Sequence, residues 1–234
     1  MFVDYDLYII INWTIPLIGF LITLASQVYI NINYKIYKGH INAKNKTGYD
    51  AARAILDANN LNDIDVIETK GTLTDHYDPN RKVIRLSTRV FHDASVASVA
   101  VAAHECGHAI QDKEGYNFLR IRSFLVPFVN FSTRLGYIVV FIGLLFSSYN
   151  VAMIGIALLT AMLLFQLVTL PVEFNASNRA KKEIDKLDML NSEEKNGMSR
   201  MLTSAALTYV ASLTTTLLQI FRLFLIVANN RYKN

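Results

Sequence analysis

Two stretches of this chain contain no Asp, Glu, Lys or Arg, from Leu7 to Tyr34 and from Leu135 to Val172. A helix crosses a bilayer core with about 20 apolar residues, so the first stretch is long enough to cross once and the second twice. That pattern excludes a fold that lives wholly in water, and a composition of 52% apolar and 18% charged residues agrees with it. Lys35 to Arg122, between the two stretches, is densely charged and reads as a polar domain carried on membrane helices. The net charge of +4 reflects basic residues flanking apolar spans, an orientation signal rather than a nucleic-acid footprint, so no nucleic-acid partner is expected. The single Cys106 excludes an intramolecular disulfide framework and a CxxC site.

Residues 7–30 form the expected first transmembrane helix, with Trp13 and Tyr29 placed as interfacial aromatics. Asp4 and Asp6 replace the basic start of a signal peptide, and the span is too long for its apolar region, so it is expected to be retained. Ser147-Ser148-Tyr149-Asn150 interrupts the second stretch, so residues 123–170 read as a transmembrane hairpin with halves near 127–146 and 151–170. Arg134 in the first half reads as an anchor snorkelling to headgroups in preference to part of an ion pathway. Residues 201–230, broken only by Arg222 and rich in Thr and Ser, are expected to form a fourth transmembrane helix, with partial packing against the polar domain as the alternative. Lys35, Lys38, Lys44 and Lys46 follow the first span, and Arg179, Lys181, Lys182 and Lys186 follow the third. The positive-inside rule then places the N-terminus outside and both polar segments in the cytoplasm, with Arg231 and Lys233 counting against it.

The polar segment, residues 31–122, has the content of a small α+β unit. Tyr49 to Asn59 has helical periodicity, Asp63 to Thr69 and Lys82 to Ser87 alternate as strands, and Asp78-Pro79-Asn80 forms a turn. A helix over about Ala94 to Gln111 is small-faced, with Ser95, Ala97, Ala100, Ala102 and Ala103 allowing close neighbours. Residues 171–200 complete this domain. The fold class is mainly α with a small β-sheet, joined to a bundle of about four transmembrane helices.

On the small-faced helix lies His104-Glu105-Cys106-Gly107-His108, an H-E-x-x-H pattern. Residues four apart share a helix face, so both imidazoles reach one ion while Glu105 reaches an attacking water. Neutral imidazoles suit zinc, and a catalytic zinc site takes three protein ligands and an open position. The metzincin continuation is excluded, because Gln111 and Glu114 stand where it requires Gly and His. The other histidines, His40, His76 and His92, lie upstream, which leaves a downstream carboxylate as the natural third ligand. Glu173 stands out: it follows Pro171 at the expected start of a helix, and two spans separate it from His108, which returns it to the same side of the bilayer. Its alternative reading is a carboxylate favoured by the helix dipole. Cys106 reads as a packing residue, pointing off the ligand face.

The segments AAHECGHAIQ and LPVEFNASNRA, with DHYDPNRKVIRLS and AALTYVASL, resemble the neutral zinc metallopeptidases of bacterial membranes, the YugP-like family, over nearly the whole chain. The resemblance implies a zincin-like catalytic domain of gluzincin type, distantly similar to HtpX-like and CAAX-prenyl-protease membrane enzymes. It implies one Zn2+ per chain, His104, His108 and Glu173 as its ligands, and Glu105 as general base. HtpX-like enzymes carry an acidic residue where this chain has Ser177. The residue orienting His104 or His108 is therefore expected to be another, Asn175 or Asp93.

The expected activity is hydrolysis of peptide bonds by a zinc-activated water with a Glu general base, at the cytoplasmic face of the bacterial cytoplasmic membrane. Substrates are expected to be unfolded or membrane-proximal peptide segments, and the bilayer is the other partner. His76, Tyr77 and Tyr209 are candidate oxyanion donors, each with a purely structural alternative. The strand Lys82 to Ser87 is a candidate for binding an extended peptide by strand addition. Two other readings stand beside this one. One is a zinc-dependent amidohydrolase on a non-peptide or lipid-linked substrate, and the other is a non-catalytic membrane protein with a zinc site. Against the last, a structural zinc site has no need of Glu105. Geometry separates Glu173 from the other carboxylates: Glu114 has no turning glycine to fold it back, and Glu183, Asp185 and Asp188 lie about 15 Å or more further along the helix.

Overall fold

A computed structural model describes residues 8–72 and 74–231; Asp4, Asp6, Leu7 and Lys233 lie outside the described residues, as does the side chain of Arg231. A π-helical turn over Ile10–Thr14 runs into α1 (Ile15–Lys38), followed by α2 (Gly48–Ala58), β1 (Asp65–Thr69), β2 (His76–Asp78) and β3 (Val83–Ser87). Then come α3 (Thr88–His92), α4 (Val96–Lys113), α5 (Asn117–Leu145), α6 (Tyr149–Lys186) and α7 (Ser192–Arg231). Four helices are long and apolar enough to cross a membrane: Ile10–Lys38, Asn117–Leu145, Tyr149–Lys186 and Ser192–Asn229. The protein is therefore mainly helical with one small sheet, as the sequence predicts. It divides into two compact units, one from the described residues of Met1–Gln27, Ile121–Leu170 and Thr208–Asn234, the other from Val28–Arg120 and Pro171–Leu207.

The first unit is the apolar one, and its helices meet through small residues. A Cβ on Gly143 would lie 2.3 Å from the Ala152 nitrogen, and one on Gly155 would lie 2.5 Å from the Val140 nitrogen. Between membrane helices such close backbone approach supplies the van der Waals attraction that the hydrophobic effect does not. Val140, Ala152, Ile156 and Leu159 then cluster with Leu223 and Val227 of α7. The hairpin turn falls where Ser147 and Ser148 predict it: Ser147 takes a left-handed φ of 52°, and the Ser148 N–H returns to the Gly143 carbonyl at 2.8 Å. This is a Schellman-type helix end.

The second unit is built around α4, nearly all of whose side chains are buried. Its alanines let Ala51, Ala52 and Ile55 of α2 pack directly on it. A capping box fixes the start of α2, with the Thr47 hydroxyl accepting from the Asp50 N–H and the Asp50 carboxylate accepting from the Thr47 N–H. The sheet order is β1-β3-β2, with β1 parallel and β2 antiparallel to β3. This corrects the expectation of strand addition at Lys82 to Ser87: β3 is the central strand, so both its edges are already paired. Sequence alternation reveals a strand but not its neighbours, and β2 is only three residues long before the Asp78 side chain starts its turn by accepting from the Asn80 and Arg81 N–H groups.

A second difference concerns Pro171. It does not begin a helix but lies inside α6, which continues unbroken to Lys186. The helix survives loss of one backbone hydrogen bond because Ala176, Ala180 and Ile184 beyond it are buried. Here α4 and α6 touch backbone to backbone: a Cβ on Gly107 would lie 2.5 Å from the Ala176 carbonyl oxygen and 3.1 Å from its Cα. Gly107→Ala should therefore force these helices apart, costing about 1–3 kcal/mol of stability and lowering zinc content. Thermal unfolding and metal analysis of the purified variant check this; a wild-type melting temperature with full zinc would show the contact to be dispensable.

Candidate active site

Because His104 and His108 are one turn apart on α4, their imidazoles leave the same face, with ring centroids 4.8 Å apart and planes at 86°. Glu173 of α6 completes the group. Its Oε2 lies 3.3 Å from His104 Nε2 and 3.7 Å from His108 Nε2. One donor atom from each of the three residues lies within 4.8 Å of the others. A tetrahedral zinc with bonds of about 2.0–2.2 Å separates its ligand atoms by about 3.3–3.6 Å, so these residues fit the ion with little movement. Glu173 is only 3% exposed, and a buried carboxylate aimed at two imidazole nitrogens is the donor chemistry that zinc accepts.

Both rings are held through their other nitrogen. Gln111, 0% exposed, accepts from His108 Nδ1 at 3.0 Å through its Oε1. Its amide nitrogen donates to the Val172 carbonyl at 2.8 Å and to Asn175 Oδ1 at 2.9 Å. One buried amide thus ties the His108 ring to the residues flanking Glu173. The Ser177 hydroxyl lies 3.2 Å from His104 Nδ1. With both Nδ1 atoms engaged, the Nε2 atoms face the group that a metal would join. For His108, burial opposes the imidazolium, but the hydrogen bond it donates to Glu173 and the charges of Glu105 and Glu173 outweigh it and raise its pKa.

The orienting residues differ from those expected. Ser177, the position that departs from the HtpX-like pattern, is itself the partner of His104. Asn175 acts one step further out, accepting from Gln111 and from Arg179 Nε at 2.7 Å, and Asp93, at the end of α3, makes no hydrogen bond to either imidazole among the described residues. Gln111 had a signal in the sequence: it is a polar residue three positions after His108 on a helix otherwise faced with small apolar side chains. Ser177 had none, since a serine on a polar helix carries no mark of its partner.

Glu105 accepts a hydrogen bond from the Tyr77 backbone N–H at 3.0 Å, which places β2 beside the motif helix. The Tyr77 hydroxyl is turned to other use, donating to Asp112 at 2.8 Å; burial first, then that carboxylate, raises its pKa. His76 is exposed, with Nδ1 2.8 Å from the Thr74 carbonyl, and Tyr209 belongs to the apolar unit. Cys106 is fully buried, its thiol 3.6 Å from the Ala52 carbonyl, and burial followed by the charge of Glu105 pushes its pKa well up. It is a packing residue, not a nucleophile.

The other carboxylates considered as ligands have partners elsewhere. Glu114 pairs with Arg179 at 2.7 Å and Asp185 with Lys195 at 3.0 Å. Asp188 pairs with Lys44 at 2.6 Å, and Glu183 accepts from Asn59 at 2.8 Å.

An imidazole pair on one helical turn, a glutamate beside it and a buried carboxylate from a second helix, in a chain with four helices of spanning length, define a membrane protein with a zinc-peptidase type of centre. Residues 12–228 match the family described as "Putative neutral zinc metallopeptidase". The chain is 41% identical over 221 residues to "Putative membrane protease YugP" of Bacillus subtilis (strain 168), covering 94% of this chain and 97% of that protein. No solved structure matches it. The chain belongs to this family of zinc metallopeptidases, and zinc is its cofactor.

Glu173→Ala should lose zinc while Glu183→Ala keeps it, and Gln111→Leu should weaken zinc binding about 10–100-fold by releasing the His108 ring. Chelator competition on the three purified variants decides this. A zinc-replete Glu173→Ala protein would remove Glu173 from the ligand set, and wild-type affinity in Gln111→Leu would reduce that amide to packing.

Proposed function

We propose that this protein is a gluzincin-type endopeptidase of the bacterial cytoplasmic membrane, with His104, His108 and Glu173 holding zinc and Glu105 as general base. The observation that carries this reading is the approach of Glu173 to both imidazoles of the H-E-x-x-H turn. Zinc, when bound, polarises the scissile carbonyl and acidifies water. The Glu105 carboxylate takes the proton of the attacking water and delivers it to the leaving amine nitrogen. The Tyr77 N–H holds that carboxylate in position before attack. An extended peptide is placed along β2, the edge strand whose Tyr77 N–H meets Glu105, rather than along the central β3. Gln111 holds the His108 ring with Nδ1 as donor, and Ser177 holds the orientation of the His104 ring. Glu105 also favours hydrolysis over a purely structural zinc site, which would leave this carboxylate without a task.

Glu105→Gln should retain zinc and lose hydrolysis of an unfolded substrate such as casein by at least about 100-fold, the scale of general-base catalysis. Zinc content together with a turnover assay reads this, and wild-type turnover would take Glu105 out of the mechanism.

The positive-inside rule assigns the polar unit to the cytoplasm and the Ser147–Tyr149 turn to the outside. A membrane-impermeant thiol reagent should label Ser148→Cys in a Cys106→Ser background on intact cells. Labelling that requires permeabilisation would invert the topology.

A further inference from the structure

Within the apolar unit, α5 packs through one face, Val129, Ser132, Gly136, Val140 and Gly143. On its opposite side a second stripe recurs at alternating steps of three and four residues: Phe131, Arg134, Ile138, Phe141 and Leu145, every one exposed. That alternation is the spacing with which one helix lies along another. Phe131 and Phe141 are each 65% exposed and Leu145 64%, so no element among the described residues covers the seam.

Arg134 stands at its centre. It lies twelve residues after Arg122 and thirteen before Ser147 of the hairpin turn. At about 1.5 Å per residue these are separations of about 18 and 20 Å, so Arg134 starts near the middle of a hydrocarbon core about 30 Å thick. Either edge of that core is about 15 Å away, roughly twice the reach of an extended arginine side chain, so snorkelling alone does not bring the guanidinium to the headgroups. Among the described residues Arg134 has no hydrogen bond or ion pair. Arg222 of α7, in the same unit, behaves differently: it donates through Nε to the Ile11 carbonyl at 2.9 Å, within the π-helical turn.

A guanidinium facing lipid at that depth is costly, and intramembrane charges are normally paired with an opposite charge or a polar group. This chain cannot supply the opposite charge from a second copy. No Asp or Glu occurs in residues 123–172 or in 201–228, nor in Leu7 to Tyr34. A symmetric contact of two copies through this seam would also oppose two guanidinium groups.

We propose that the Phe131–Leu145 seam of α5 is a docking surface for a transmembrane helix of another protein that carries a carboxylate, Asp or Glu, midway along its apolar stretch. Arg134 forms a charge-assisted hydrogen bond with that carboxylate, and Phe131, Ile138 and Phe141 pack against its neighbours. Pairing relieves both charges of their exposure to hydrocarbon, so the selection is for a charge at one depth rather than for a long sequence motif. The amide of Asn130, exposed one turn earlier, adds a second polar group to the same side of α5.

The test uses the full-length protein in phosphatidylcholine vesicles, labelled at Ser148→Cys with an energy-transfer acceptor. The probes are donor-labelled leucine-rich transmembrane peptides with a single central Glu, Gln or Leu. The Glu peptide should associate at least about tenfold more tightly than the Leu peptide, with the Gln peptide between them. Arg134→Leu should remove the difference, and Arg134→Glu should transfer the preference to a peptide with a central Lys. Equal association of the three peptides with the unsubstituted Arg134 protein would overturn the proposal, and this arm needs no variant to fold. A Glu preference that persists in Arg134→Leu would also overturn it. So would a preference lost on adding phosphatidylglycerol, because the guanidinium would then be serving anionic headgroups.

Discussion

A carboxylate taken almost entirely out of water is the centre on which the polar unit depends. Glu173, 3% exposed, would be costly in an apolar interior unless something of opposite character met it, and two imidazoles of α4 do so. Holding it there requires α4 and α6 to approach more closely than ordinary side chains permit. Gly107 permits it by leaving room for the Ala176 carbonyl, and Gln111 secures it by spanning from His108 to Val172 and Asn175. The alanines that make α4 narrow serve the same end, since Ala51, Ala52 and Ile55 can then support the helix from behind. Fold and site are in this sense one arrangement, with packing setting the distances that the chemistry uses.

The apolar unit meets a different constraint. Its helices gain little from burying apolar surface against one another in lipid, so contact is made through Gly136, Gly143 and Gly155, where backbones come within van der Waals reach. Polar groups there are handled locally. Thr23 and Thr215 return their hydroxyls to carbonyls four residues earlier, and Gln166 donates to Ser212 across helices. Among the described residues this local handling does not reach Arg134, nor the buried Ser132 and Thr133 hydroxyls.

What could be read from the sequence was whatever one helix encodes by itself. His104 and His108 share a face because they are four apart, and charge-free length identifies the spans, so neither needs knowledge of the rest of the chain. Ser147 and Ser148 mark the hairpin turn for the same reason. Relations between distant segments were harder. The alternation of Lys82 to Ser87 reveals a strand, yet only the pairing of Asp65–Thr69 on one side and His76–Asp78 on the other makes it central. Pro171 looks like a helix start in isolation, and the buried Ala176, Ala180 and Ile184 beyond it carry the helix through. Ser177 stands where the HtpX-like pattern expects an acidic residue, and only its 3.2 Å distance from His104 shows what the hydroxyl faces.

The order in which these residues occur along the chain also governs when the site can exist. His104, Glu105 and His108 leave the ribosome well before Glu173, and α5 with most of the apolar part of α6 lies between them. A nascent chain therefore exposes two imidazoles and a glutamate with no third ligand, a set that binds zinc weakly. Only after the hairpin has been made can Glu173 dock against α4 and complete the centre. With the proposed ligand set, chain order delays metal loading until the membrane helices have been built.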